Sequence, residues 1–157
     1  MRHIAARAAY DSRMKWARII LGVVLLAMGA GKLADVGGYA AALSTFRVIP
    51  DGALHVVAIA WLCAELAAGA LLVAGVRTAR IGAPLAVCVN VAYAALTTQA
   101  YVRHLRVDNC TCFGVHLAQR LSWFVLVQDA YMIFLSLWVL RAVYGAASTA
   151  TRPPPAG

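Results

Sequence analysis

Four apolar runs, separated by short polar or charged segments, set the limits on what this chain can become. A helix that crosses a bilayer needs roughly 20 mainly apolar residues. The runs at 15–33, 53–76, 81–101 and 121–144 each have about that length. The 157 residues are 63% hydrophobic and only 13% charged, against about 25% charged in a soluble domain. The chain therefore reads as one all-α domain, an integral membrane four-transmembrane-helix bundle over 15–144. A basic segment at 1–14 precedes it and a Pro-rich tail at 145–157 follows. Abundant alanine and glycine suit close packing of membrane helices.

The formal net charge of +8 does not indicate nucleic acid. No basic stripe is interleaved with aromatics, and basic residues that flank spans face anionic lipid. Four spans put both termini on one side. That side carries Arg2, Arg7, Arg13, Lys15, Arg18, Arg77, Arg80, Arg141 and Arg152; the other carries Lys32, Arg47, Arg103, Arg106 and Arg120. The excess predicts cytoplasmic termini in a bacterial cytoplasmic (inner) membrane. The loop at 102–120 is then extracytoplasmic, where thiols can oxidise. The basic start and the apolar run after it are read as a first span, with a short surface helix before it, rather than as a cleaved secretory signal.

Between the spans, residues 34–52 hold Gly37, Gly38 and the turn Pro50-Asp51-Gly52, with Tyr39, Leu43, Phe46 and Val48 placed along an interfacial helix. Arg77-Thr78-Ala79-Arg80 reads as a tight basic turn, and Pro84 falls near the start of the third span, where proline is tolerated. Ser122 is the expected cap of the fourth span. Trp16, Trp61, Trp123 and Trp138 are read as interface anchors or core.

The most distinctive polar stretch is Asn109-Cys110-Thr111-Cys112-Phe113-Gly114. Two thiols one residue apart close only in a tight local turn. Such a small ring is strained, and strained exposed disulfides are labile, catalytic or regulatory. The expected site is a redox-capable turn held at the membrane surface. Arg103, His104, Arg106 and His116 supply positive charge nearby in sequence, which lowers a thiol pKa. Two other readings stay open. The cysteines can be a structural clip, or His104, Cys110, Cys112 and His116 can form a tetrahedral metal site for zinc or copper. Cys63 and Cys88 fall within apolar runs and read as a buried pair that simply packs.

Ionisable residues inside spans are costly and mark functional sites by default. Glu65 lies roughly 18 Å into the second span and Asp129 roughly 12 Å into the fourth, at ~1.5 Å per residue. With Gln128, and with Arg47 from the outer side, they are expected to form one polar network, Glu65 serving to relay protons, to hold a quinone oxygen or to pair with a base. Lys32, in Gly29-Ala30-Gly31-Lys32-Leu33, is either a snorkelling lysine or a cation set near the thiol loop. A phosphate loop is excluded, because Leu26 and Leu33 stand where that motif needs glycine and Ser or Thr.

Several of these stretches together resemble the MauE (methylamine utilisation) family, within the wider MauE/DoxX group of redox-associated membrane proteins. They are Gly31-Lys32-Leu33 with Asp35, Phe46-Arg47-Val48-Ile49-Pro50, and Trp61-Leu62 with Glu65-Leu66 and Gly69. The most specific is Cys110-Thr111-Cys112-Phe113-Gly114, followed by Leu121-Ser122-Trp123 and Asp129. The likeness covers about residues 18–140. It implies a four-helix membrane protein that works with a thioredoxin-like partner to mature a disulfide-rich periplasmic dehydrogenase subunit. It implies Cys110 and Cys112 as the redox pair, with Lys32, Glu65 and Asp129 at matching positions. Gln128 stands where arginine is expected, and the basic N-terminus and Pro-rich tail are additions.

The expected function is thiol–disulfide exchange through Cys110 and Cys112, supported by Lys32, Glu65 and Asp129, with a thioredoxin-like protein or a client. A membrane quinone is the expected electron acceptor by analogy with other four-helix thiol oxidases. The rival readings are a non-catalytic subunit that packs against other membrane proteins, and a metal carrier.

Overall fold

An isolated apolar run in hydrocarbon can satisfy its backbone only as a helix, and the four runs fold so. The computed structural model describes residues 2–112, 114 and 118–150, with side chains over 14–112, 114 and 118–145. Phe113, His116 and the tail at 151–157 lie outside the described residues. The elements are α1 (Arg2–Leu33), α2 (Val36–Ser44), a 3-10 turn (Asp51–Ala53), α3 (Leu54–Ala74), α4 (Val76–Val102) and α5 (Trp123–Ala150). No strand occurs among the described residues. Met14–Leu33, Asp51–Ala74, Val76–Val102 and Trp123–Gly145 are long and apolar enough to cross a membrane. The protein is a multi-pass, all-helical membrane protein.

The helices run up and down in a ring. α1 packs along α3, α3 along α4 and α4 along α5, while α5 returns to α1 through a lighter seam. The α1–α3 approach depends on missing side chains. A Cβ on Gly69 would stand 2.8 Å from the Gly22 carbonyl oxygen and 3.0 Å from the Leu26 nitrogen. Neither backbone atom can yield, so the two glycines let the helices touch directly. The inner core joins Leu21 and Leu25 of α1, Leu72 of α3, Ala83 of α4 and Val139 of α5. Val56, Ile81, Trp123 and Phe134 point outward, as expected where lipid is the solvent.

Several expectations are corrected. The basic segment at the start makes no separate surface helix; it continues into the first span as α1. Residues 77–80 are not a turn but the opening of α4; Gly75 alone separates it from α3. Thr78 caps the end of α3 by donating to the Leu71 carbonyl at 2.7 Å and the Gly75 carbonyl at 3.0 Å. The buried Arg18 guanidinium donates to the Leu72 carbonyl. Pro84 therefore sits two turns into α4. Lacking an N–H, it cannot serve the Arg80 carbonyl four residues back; the Tyr144 hydroxyl of α5 donates to that oxygen instead, at 3.1 Å. Cys63 and Cys88 are exposed on the bundle's outer surface rather than packed in the core. Trp16, Trp123 and Trp138 face outward, while Trp61 turns partly inward.

In the first loop, Asp35 accepts a 2.7 Å hydrogen bond from the Gly38 N–H and so caps α2. The cap sets α2 against α3 with Tyr39 and Leu43 buried. Phe46 follows them into the core, and Val48 does not.

Candidate functional site

Lys32 occupies the last turn of α1, and the antiparallel packing on α3 brings Glu65 to it. Lys32 Nζ donates to Glu65 Oε2 at 2.6 Å and Oε1 at 2.9 Å, and neither side chain is exposed. Glu65 is about three turns along α3 yet level with the C-terminal end of α1, so it does not sit alone in its span. Aromatic rings wall the pair. Lys32 Nζ lies 4.5 Å from the Tyr93 ring centroid and 5.5 Å from that of Tyr39, within cation–π range. The Tyr39 and Tyr93 hydroxyls are hydrogen-bonded to each other at 3.1 Å. The Trp61 ring stands 4.7 Å from that of Tyr93, tilted by 54°. The Trp61 indole N–H is buried and meets no acceptor among the described residues.

The cysteine loop folds into the light α1–α5 seam, at the C-terminal end of α1 and the N-terminal end of α5. Two backbone bonds tie its neck: the Leu121 N–H donates to the Val107 carbonyl at 3.0 Å and the Cys110 N–H to the Gln119 carbonyl at 2.8 Å. Asn109 shapes the tip. Its Oδ1 accepts from the Thr111 N–H at 2.9 Å, and its Nδ2 donates to the Gly114 carbonyl at 3.2 Å. Thr111 adopts φ +63°, a left-handed value rare for a β-branched residue. Gly114, at φ +77°, rests on the backbone of α1: a Cβ there would run into the Gly31 carbonyl and reach within 3.0 Å of the Lys32 nitrogen.

This seating overturns the expectation of an exposed turn. Cys110 and Cys112 are only 1% and 2% exposed, packed against Met28 of α1 and Val125 of α5. The thiols are free, with sulfurs 3.2 Å apart. The contact splits their acidities. Side-chain hydrogen bonding with Cys112 draws Cys110 down to about 7, against the opposing effect of burial. The same bond, together with burial, pushes Cys112 well above the ordinary thiol range. Lys32 favours a thiolate at Cys112, and a negative charge at Asp129 opposes one at either sulfur. Asp129 is held from α4, where the Thr97 hydroxyl donates to its Oδ2 at 2.5 Å.

The structure thus gathers Lys32, Glu65, Asp129, Cys110 and Cys112 around the end of the bundle that carries the cysteine loop. It does not join Glu65 and Asp129 directly; each has its own partner. Arg47 is exposed, at φ +53°, and Gln128 is half-buried; neither bonds to Glu65 or Asp129. His104 is exposed, at φ +51°. No group of three His, Cys, Asp or Glu converges as metal ligands among the described residues, and His116 of the expected four-residue set lies outside them. Sequence reasoning gave no role to Tyr93 or Thr97, and treated Tyr39 and Trp61 as interface or packing residues. The available signal was helical spacing: Trp61 precedes Glu65 by four residues, and Tyr93 precedes Thr97 by four, so each pair shares a face.

Fold and site define a class: a polytopic helical membrane protein that seats a dithiol loop beside a buried ion pair. The sequence profile of the family described as methylamine utilisation protein MauE matches residues 11–142, and the chain belongs to that family. The curated methylamine utilization protein MauE of Paracoccus denitrificans is 30% identical over 132 residues, which cover 83% of this chain and 70% of the relative. No solved structure matches the chain.

Proposed function

We propose that this protein exchanges disulfides with a thioredoxin-like or other extracytoplasmic thiol protein through Cys110 and Cys112. The observation that carries the reading is the juxtaposed thiol pair, with Cys110 held near neutrality by its neighbour. The Cys110 thiolate attacks one sulfur of a partner disulfide. That S–S bond breaks, a Cys110–partner bond forms, and the other partner sulfur leaves as a thiolate. Cys112, losing its proton, then attacks the Cys110 sulfur. An internal disulfide forms and the second partner sulfur leaves. Two electrons pass from the pair to the partner, and the reverse sequence oxidises a client dithiol. Lys32 steadies the Cys112 thiolate at the moment it forms, and Glu65 keeps that ammonium in place. Asp129 is the nearby carboxylate fit to receive a thiol proton.

The lysine and arginine excess supports an extracytoplasmic loop with cytoplasmic termini. The relative's name concerns methylamine utilization, and the client we propose for this chain is a disulfide-containing protein matured for that kind of metabolism. For net oxidation we propose a membrane quinone as electron acceptor; the unpaired Trp61 N–H beside Tyr93 supports a carbonyl-bearing ligand there.

The test is a Cys110→Ser, Cys112→Ser variant produced at normal levels in the membrane. Loss of client disulfide formation in cells is expected. Full client oxidation would overturn the exchange reading.

A further inference from the structure

At the neck of the cysteine loop lies an open cavity of about 500 Å³, lined by Leu105, Arg106, Val107, Asp108, Arg120 and Leu121. Its rim is basic, with Arg103 and His104 exposed just before it in the chain. Arg106 makes no hydrogen bond or ion pair among the described residues. Arg120 Nε meets Asp108 Oδ1 at 3.4 Å, with both side chains more than four-fifths exposed. So exposed a pair contributes little and can open to a better ligand. The cavity wall includes Val107 and Leu121, the residues whose backbones clamp the loop neck. Asp108 precedes Cys110 by two residues, at most about 7 Å of extended chain.

We propose that this notch is the docking site for an acidic peptide segment that flanks the reactive cysteine of the exchanging protein. The proposal rests on the exchange reading above and names its recognition element. Two guanidinium forks match carboxylates, while Leu105 and Leu121 offer an apolar wall. Asp108 adds an acceptor for a peptide N–H, a bond that a bare phosphate with no N–H cannot make. An occupant here holds a partner sulfur within reach of the loop that carries Cys110.

The test uses the full chain in nanodiscs of zwitterionic lipid and two thiol-free peptides, serine flanked by glutamates and serine flanked by lysines. The glutamate peptide is expected to bind at least tenfold more tightly, and more weakly as salt rises. Arg106→Gln with Arg120→Gln is expected to abolish the preference without changing thermal unfolding. Equal binding of the two peptides, no binding of either, or a preference that survives the double substitution would overturn the proposal. So would loss of glutamate-peptide binding when the nanodiscs are remade with anionic lipid at the same ionic strength, which would assign the notch to lipid headgroups. These peptides carry no sulfur, so their binding is read independently of redox chemistry. Cysteine versions report exchange separately: binding without exchange would sink the exchange reading alone.

Discussion

Lys32 and Glu65 form an ion pair at 2.6 Å in which neither side chain reaches the outside of the bundle. Two charges withdrawn together are tolerable; one left alone is not. Lys32→Ala or Glu65→Ala is therefore expected to destabilise the fold by about 3–5 kcal/mol, read as chemical unfolding in detergent. Lys32→Met combined with Glu65→Leu should recover most of that stability. If Lys32 also supports the Cys112 thiolate, the double variant will fold but exchange disulfides slowly. Full exchange activity in the double variant would reduce the pair to a structural role.

Gly114 seats the thiol loop on the Gly31 and Lys32 backbone. Gly114→Ala adds a Cβ where α1 cannot retreat, at a left-handed φ that alanine disfavours. The loop is expected to lift, and Cys110 and Cys112 to react severalfold faster with a membrane-impermeant maleimide. Unchanged labelling would mean that the thiols reach solvent by another route.

The pH response follows from the hydrogen bond between Cys110 and Cys112. A thiol loses its proton as pH rises, so lowering its pKa extends the thiolate form down towards neutrality. Ultraviolet thiolate absorbance of the reduced protein should rise through about pH 7. With Cys112→Ala the side-chain partner, the largest cause of the low value, is gone, while burial and the Asp129 charge still oppose the thiolate, so the inflection should move upward. An inflection that stays near neutrality would assign the low pKa to some other cause.

Thr97 is the hydroxyl that serves Asp129. Thr97→Val keeps the shape and removes the donor, which is expected to cost about 1–3 kcal/mol by leaving a buried polar group unsatisfied. Thr97→Ser should restore the bond. Equal stability of the valine and serine variants would show that Asp129 finds another partner.

Hydropathy and length made the four spans legible, because lipid gives a backbone so few alternatives. The third span was harder. Arg77 and Arg80 read as a loop, yet both belong to α4, whose first turns carry charge at the bundle's end. The ingredients of the site were equally visible: Lys32, Glu65, Asp129 and two thiols stand out in apolar surroundings. Their pairing was not. Lys32 meets Glu65 only through the register that Gly22 and Gly69 permit, and that register is a property of two helices together. Tyr39 read as part of an interfacial helix and Tyr93 carried no assignment; they meet only because α2 folds against α3 and brings the Tyr39 hydroxyl to that of Tyr93 on α4. The burial of Cys110 and Cys112 was also hidden, since a polar hexapeptide gives no sign that its glycine will rest on a helix end.

The central claim is that Cys110 and Cys112 trade disulfides with another protein. Single substitutions, Cys110→Ser and Cys112→Ser, interrupt exchange halfway. Cells expressing each variant are quenched with acid and alkylated, and the protein is recovered under non-reducing conditions. The expected result is a reductant-sensitive covalent adduct with a thiol protein, strongest in Cys112→Ser, where Cys110 can attack but nothing resolves the bond. Failure of both folded, membrane-inserted variants to trap any adduct would contradict the account.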